Sequence, residues 1–296
     1  MTTPPPRFNV GVVGVGRAGS VLAAALDRAG HAVVAAHAVS ELSRLRAEAM
    51  LPHATLTDVV SVVARADLVL LTVPDDVLPG LIENLAEGGH LRPGLVLVHA
   101  SGRYGVAVCE PAAARGVIPL ALHPVMTLTG TSLDLDRLSG CPFGVTSDPT
   151  VRPMAEALVV EMGGEPVWVA ETNRGLYHAA LANASNHLVA LTVQSMDLLS
   201  AAGVADPGAM LAPLMTASLD NALQRGDEAL TGPVMRGDAR TVAEHLRVLS
   251  ELSGHTRDSY QAMARLTADR AIAAGLLSAQ RAEALLDVLT SREERP

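Results

Sequence analysis

The sequence predicts an α/β fold: a doubly wound, mostly parallel sheet over residues 8–170, followed by an all-helical domain over 171–296. Three observations carry that prediction. Short apolar runs alternate with helical patterns from Phe8 to Val169, the first strand-to-helix turn reads Gly14-Val15-Gly16-Arg17-Ala18-Gly19, and no strand pattern recurs after Ala170.

The first run, Phe8, Val10, Val12 and Val13, is broken by Gly11 and closed by Gly14, as a buried strand would be. The turn after it is G-x-G-x-x-G in full. Ser20 to Arg28 reads as an alanine-rich helix ended by Gly30, where a left-handed cap needs a residue without Cβ, and His31 to Ala36 supplies the next strand. Strand, glycine turn, helix and strand form the Rossmann context, which points to a bound dinucleotide. Gly14 allows the tight turn, Gly16 lets the backbone approach a pyrophosphate, and Gly19 lets helix and strand pack closely. The helix start at Arg17, Ala18 and Gly19 offers unpaired N–H groups to the phosphates. The plainer alternative is a glycine turn that only joins a strand to a helix.

About 20 residues on, folds that bind NAD place a carboxylate for the ribose 2′-hydroxyl. Here the second strand runs out through Ala36, His37, Ala38 and Val39 with no acid, and Ser40, Arg44 and Arg46 follow. A hydroxyl and two guanidiniums suit a 2′-phosphate, which favours NADP(H) over NAD(H). Taken singly, Arg44 and Arg46 read equally well as a solvated helix face.

Ser40 also N-caps a helix to Met50, His53 to Leu56 makes a short third strand, and Asp58 to Arg65 a small helix. The strongest strand, Asp67 to Val73, is stopped by Pro74, and Asp75 is placed to cap a helix from Asp76 to Ala86. Val73 and Pro74 therefore border the crevice that such folds open at the carboxyl ends of their strands. Arg92-Pro93-Gly94 turns into a fifth strand, Leu95 to His99, and Gly105 to Arg115 reads as helix. A sixth strand, Val117 to Leu122, ends in His123-Pro124. Ser101 and His123 thus share the edge where chemistry occurs, Ser101 as a donor or a plain turn residue, His123 as an acid or a buried, bonded histidine. Strands at Pro142 to Thr146 and Pro166 to Val169, with a helix from Val151 to Met162 between them, extend the sheet.

In the second half, Asn173 to Leu199 is apolar on all sides, the pattern of a buried helix whose polar groups need a partner or a purpose. His178 and Ser185 fall within roughly 20° on one face, and with Asn183 and Asn186 they could line a cleft against the first domain. Arg236, in the turn-rich stretch Thr231 to Asp238, is either a clamp for a substrate carboxylate or the ion-pair partner of Asp238 or Asp227.

Composition narrows the chemistry. With 49% hydrophobic and 18% charged residues the chain reads as an ordinary globular protein, and a net charge of −9 argues against nucleic acid as a partner. No stretch is apolar enough over about 20 residues to span a membrane. Two cysteines, Cys109 and Cys141, are too few for a disulfide framework, and residues 1–7 read as a disordered leader with no apolar signal region, which places the protein in the cytoplasm. All 22 basic residues are arginine, which removes a P-loop lysine, Schiff-base chemistry and any ammonium acid. The ten histidines show no H-E-x-x-H spacing and the cysteines no C-x-x-C, so no metal is expected.

The fingerprint at Gly14 to Gly19, the Val73-Pro74-Asp75 strand end, the Leu122-His123-Pro124 step, the helix from Tyr177-His178 to Ser185-Asn186-His187, and Leu230-Thr231-Gly232-Pro233 with Arg236-Gly237-Asp238 belong together. Their combination resembles the Rossmann-like oxidoreductases that carry a helical C-terminal domain of formally unknown function, and it covers nearly the whole chain. In architecture that family is similar to the wider group of 6-phosphogluconate dehydrogenase, pyrroline-5-carboxylate reductase, ketopantoate reductase and the deazaflavin-dependent NADP reductases. The resemblance implies a crevice closed by the first helix of the second domain, a homodimer made through the helical domain, and a small carboxylate substrate, ketopantoate being the first to test. One departure stands out. The β-hydroxyacid dehydrogenases carry a lysine on that helix as the acid, followed a turn later by asparagine, whereas this chain presents His178 there, with Asn183 or Asn186 after it.

The expected reaction is hydride transfer from NADPH, docked on Gly14 to Gly19, to the carbonyl or imine carbon of that carboxylate. His178 is the first candidate for the acid and His123 the second, since an imidazole with a pKa of about 6.5 gives and regains a proton near neutrality. Asn186 and Ser101 would donate to the same oxygen, while Asn183 and Arg236 would hold the substrate. The missing lysine keeps open an alternative, an NADP(H)-binding redox sensor or assembly module without turnover.

Overall fold

The computed structural model describes residues 7–290, so the proline-rich leader, Thr2 to Pro6, lies outside the described residues. Two compact units divide the chain, one reaching Ser185 and the other starting at Asn186. The sequence puts the boundary near 170, after the last strand; the units part within a helix that begins at Arg174.

The first unit alternates strands and helices. In chain order they are β1 (Asn9–Val13), α1 (Arg17–Arg28), β2 (Ala32–His37), α2 (Glu41–Met50), β3 (Thr55–Leu56), α3 (Val59–Arg65), β4 (Leu68–Leu71), α4 (Leu78–Glu87) and β5 (Val96–His99). A 3₁₀ turn, Val106–Cys109, leads into α5 (Glu110–Ala113), then β6 (Ile118–Pro124), α6 (Leu133–Arg137), β7 (Pro142–Ser147), α7 (Arg152–Glu161) and β8 (Glu165–Trp168). The eight strands make one sheet in the order β3-β2-β1-β4-β5-β6-β7-β8. All neighbours are parallel except β6 and β7, which pair antiparallel with His123 opposite Gly144.

Strands that read as unbroken apolar runs do so because both faces are covered. Val10, Val12, Leu68, Leu70, Val98 and Leu122 pack toward Leu22 and Leu26 of α1 and Leu158 of α7. Val13, Val69, Leu71 and Leu97 meet Val62 and Val63 of α3 and Ile82 and Leu85 of α4. Side chains of this size contribute roughly 1.5–3 kcal/mol each when fully buried.

Two helix starts differ from expectation, and proline is the reason in both. Asp75 does not cap α4, which begins at Leu78 with Val77 at its N-cap and a proline, Pro79, in its first turn. Gly105 to Arg115 is not one helix; it changes from 3₁₀ to α at Glu110, just before Pro111. Other caps follow the sequence: Ser40 Oγ accepts from the Ser43 amide at 3.1 Å, and Asp58 accepts from Ser61 at 2.9 Å.

The long helix α8 (Arg174–Ala201) crosses from the first unit into the second. The second unit then continues through α9 (Pro207–Arg225), α10 (Gly232–Arg236), α11 (Ala239–Leu252), α12 (Gly254–Ala273) and α13 (Ala279–Thr290). Its core joins Val234, Val242 and Leu246 to Ala264, Ala268 and Ala271 of α12 and Leu285 and Leu289 of α13. Alanines along α12 let its neighbours pack closely. The expectation of a buried α8 is corrected here: Arg174 is its one buried residue, and Leu188, Val189, Leu191 and Val193 are 41–61% exposed. Helix α9 buries no residue at all, with Met210, Leu214, Leu219 and Leu223 exposed. One chain does not cover the apolar surface that these two helices carry. Among the described residues no helix is long and apolar enough to cross a membrane, and no group of three or more His, Cys, Asp or Glu side chains could hold a metal.

Candidate active site

At the carboxyl ends of β1, β2 and β4 lies a crevice of about 650 Å³ whose lining includes Gly14, Gly16, Ser40, Thr72, Val73 and Pro74. The turn at its mouth is fixed by main-chain geometry. Gly14 has φ +94°, its amide donates to the His37 carbonyl at 3.1 Å, and its carbonyl accepts from the Thr72 hydroxyl at 2.6 Å. A Cβ on Gly19 would collide with that same carbonyl and hydroxyl, so the close approach of α1 to the strand ends requires glycine there. Gly16 differs: a Cβ there would meet nothing within 4 Å. Protein packing therefore does not demand a glycine at 16, and the open space in front of it is what a phosphate would occupy.

Helix α1 starts directly at this opening. Its N-cap, Gly16, supplies no side-chain hydrogen bond and its first turn holds no acid, so the amides of Arg17, Ala18 and Gly19 keep their positive end toward the crevice. A dinucleotide diphosphate fits these residues. Ser40 lines the crevice while its hydroxyl also caps α2. Arg44 lies exposed on α2 outside the crevice lining, whereas Arg46 points to the loop before α6, its guanidinium close to Gly130, which also lies against Arg17. That loop is anchored by the fully buried Asp134, which accepts from the Thr129 amide and hydroxyl and the Gly130 amide at 2.6, 2.9 and 2.8 Å. Burial alone would raise the Asp134 carboxyl, but those hydrogen bonds hold it below the usual range.

A second cluster forms where β5, β6 and β7 meet the first turns of α8. His123 Nδ1 lies 2.8 Å from the Tyr177 hydroxyl, the rings edge to face. Gly102 separates two imidazoles, since a Cβ on it would meet both His123 Nε2 and His178 Cδ2 at 2.9 Å. Beneath them Arg174, only 2% exposed, donates to Thr146 Oγ1 at 2.8 Å and to the Gly144 and Ala121 carbonyls at 3.0 and 3.3 Å. Those acceptors are all neutral, and Glu171 attracts the guanidinium only through space. Ser101 is buried, its hydroxyl accepting from the Arg103 and Tyr104 amides at 3.2 Å, and its carbonyl faces Arg174 at 3.5 Å.

This packing sets the protonation of the edge. Burial, then the Arg174 charge and then His178, pull the His123 pKa from 6.5 down to about 4. Burial pulls His99 down to about 4 as well; its Nε2 bonds the Gly105 carbonyl at 2.9 Å and its Nδ1 takes the Ser101 amide, a structural role. Burial raises the Tyr177 phenol above its ordinary value. The expectation that His123 cycles through an imidazolium near neutrality is corrected accordingly, because at pH 7 it is a neutral ring.

The lining of the crevice holds Gly14, Gly16, Ser40, Val73 and Pro74, with Arg17, Ala18 and Gly19 in the first turn of the helix that starts beside it, while Ser101, His123 and His178 fall in one cluster. Asn183 lies exposed on the first-unit part of α8, Asn186 begins the second unit, and Arg236 is exposed in the last turn of α10. Asp227, one ion-pair partner expected for Arg236, instead pairs with Arg270 at 2.6 Å. Sequence reasoning missed Arg174 and any role for Tyr177. A signal was present: Arg174, Tyr177 and His178 stand at i, i+3 and i+4, one face of a helix.

Comparison with known proteins agrees with this layout. A Rossmann-like domain matches residues 2–124 and a domain of unknown function (DUF2520) matches residues 141–267. The chain is 33% identical over 176 residues to a glycerol-3-phosphate dehydrogenase [NAD(P)+] from Bradyrhizobium sp. (strain ORS 278), a match that covers 53% of this chain and 51% of that protein. The chain therefore spans about half the length of this curated relative. Among solved structures, an NADP oxidoreductase from Bacteroides fragilis superposes with a TM-score of 0.75 at 20% identity, over 89% of this chain and 98% of that one. An imine reductase from Pseudomonas sp. does so with a TM-score of 0.63 at 18% identity, over 92% and 96%. At such identities the likeness is one of fold. The chain thus carries a match to a Rossmann-like domain followed by a match to a DUF2520 domain, the order that the glycine fingerprint and the helical second half implied.

Proposed function

We propose that the protein is an NAD(P)H-dependent reductase that acts on the carbonyl or imine of a small carboxylate, with a ketopantoate-like 2-oxo acid as the first substrate to test. The observation that carries this reading is the uncapped start of α1, with its space in front of Gly16, on the same sheet edge as the His123–His178 cluster. The names of the similar proteins, an NADP oxidoreductase, an imine reductase and an NAD(P)+ dehydrogenase, support the reaction class. When bound, the nicotinamide supplies the hydride.

The chain's own residues do the rest. Amides of Arg17, Ala18 and Gly19 hold the diphosphate, Thr72 keeps their turn in shape, and Val73 and Pro74 wall the crevice. Ser40 and Arg44, with Arg46 on the same helix, favour NADP(H) over NAD(H). His178 and His123 face the oxygen or nitrogen that gains a proton, with Ser101 beside them. Asn186 would donate to that same atom, and Asn183 and Arg236 would hold the substrate, on the residue types and positions that the sequence gives them. A homodimer built on the exposed faces of α8 and α9 completes the proposal.

Parallel titrations with NADPH and NADH, followed by absorbance at the nicotinamide band with 2-oxo acids and cyclic imines, test it. Tighter NADPH binding and oxidation by at least one substrate are expected. Tight binding with no oxidation by any of them would favour the sensor reading, and absence of binding would remove both.

A further inference from the structure

We propose that Tyr177 is the proton source behind His123: the phenol donates to Nδ1, so the neutral imidazole presents Nε2–H to the substrate atom that is being reduced. This rests on the reductase reading above, and it assigns Tyr177 the role of a positioning and relay residue that does not itself touch substrate.

Geometry fixes the direction of the hydrogen bond. The 2.8 Å contact between His123 Nδ1 and the Tyr177 hydroxyl permits either partner to donate. Among the hydrogen bonds of the described residues the Tyr177 hydroxyl has no other acceptor for its proton, and a half-buried hydroxyl is costly to leave with its proton unpaired, so the phenolic proton is directed to Nδ1. A neutral imidazole has a single N–H, which then sits on Nε2. That nitrogen points to the place where Gly102 lacks a side chain, the gap between His123 and His178.

Charge explains why the ring stays neutral. The Arg174 guanidinium carbon lies 5.5 Å from the centre of the Tyr177 ring, and the cation's hydrogen bonds go to neutral oxygens. His178 and His99 also oppose a positive His123, and Asp75, the one nearby acid that favours it, has a weaker influence than burial and Arg174. A buried cation of this kind is stabilised by whatever negative charge arises next to it. Cys141 opposes charge on the phenol and Arg174 favours it, Arg174 more strongly.

The reduction then balances. The carbonyl or imine carbon takes hydride from the reduced nicotinamide, and the π electrons move to oxygen or nitrogen, which takes the Nε2 proton. The imidazole refills from the phenol through Nδ1, leaving a phenolate beside the Arg174 guanidinium, and water returns the proton to Tyr177. One hydride and one proton are added to the substrate, and the ring ends with its proton on Nδ1 until the phenol is restored and the tautomer resets.

Ring ¹⁵N spectra of the full-length protein, with and without NADP⁺, test the first half without any turnover. At pH 7 His123 is expected to be neutral with its proton on Nε2; an imidazolium, or a neutral ring protonated on Nδ1, overturns the proposal whether or not a substrate is found. Kinetics test the second half on whichever substrate NADPH reduces. Tyr177→Phe is expected to lower kcat by about 10²-fold at unchanged NADPH affinity. Its rate should then climb as the pH falls toward the His123 pKa, because an imidazolium must replace the lost relay. Wild-type kcat and a wild-type pH profile in Tyr177→Phe, in a protein that binds NADPH normally, would refute the relay and leave the reductase reading intact. If no substrate is turned over, the reductase reading fails and the tautomer alone decides the hydrogen-bond assignment.

Discussion

Arg174 donates to a threonine hydroxyl and to strand carbonyls, so its charge is left to act on the rings around it. That has a measurable effect on stability. His99 and His123 titrate near 4 in the folded protein against 6.5 for an ordinary imidazole. Between those values the unfolded chain binds protons that the native one excludes, so stability is fully present above about pH 6.5 and is lost as the pH falls toward 4. Each ring contributes at most about 3 kcal/mol, and less where the two share Arg174 as a cause. Urea melts at pH 7.5 and pH 5 are expected to show a lower midpoint at pH 5, with uptake of up to about two protons on unfolding; equal midpoints would mean that the rings are not held neutral. The cysteines give a second check. Burial, with Glu171 nearby, pushes the Cys109 thiol up to about 12, so iodoacetamide at pH 8 should label Cys109 only after denaturation, as peptide mass spectrometry would read. Sequence showed His123 at a strand end but not its charge state, which is set first by burial and then by an arginine that reaches it from another element.

At the turn between β1 and α1, two glycines of one motif should behave in opposite ways. Gly16 has an ordinary φ and open space, so Gly16→Val should leave the melting temperature nearly unchanged and weaken NADPH binding by at least about tenfold. Gly19→Val drives a side chain into the Gly14 carbonyl and the Thr72 hydroxyl and should cost roughly 1–3 kcal/mol of stability. Thermal melts and fluorescence titrations separate the two, and wild-type affinity in Gly16→Val would remove the phosphate assignment. This turn was legible because its signals are local: an apolar run, three glycines at fixed spacing and an alanine-rich helix. The caps at Ser40 and Asp58 were legible for the same reason. The start of α4 and the break before α5 were misread, since Pro79 and Pro111 outweigh the capping and periodic signals around them. The antiparallel pairing of β6 with β7 left no mark, because apolar alternation records which face is buried and not the direction in which a strand runs.

For the whole molecule, the exposed leucines, valines and methionine of α8 and α9 are more than a lone chain normally leaves to water. Sedimentation equilibrium is expected to give twice the monomer mass, and Leu214→Glu with Leu223→Glu to give a folded monomer; a wild-type monomer at micromolar concentration would rule the dimer out. The helical second half was legible as helical but not as uncovered, since an all-round apolar helix reads alike whether its cover comes from its own chain or another. The reversal at β7 also decides how the chain leaves the sheet. With β7 and β8 running against the first six strands, the polypeptide emerges below the reactive rim, and α8 must climb across β6 and β7 to pass it. Arg174, Tyr177 and His178 are laid down in that sequence along the ascent. Those two strands act as an off-ramp: excising them with α7, as one parallel strand-helix-strand unit, would release the chain at the rim itself, and the helix would begin its journey with those three side chains already beyond their stations.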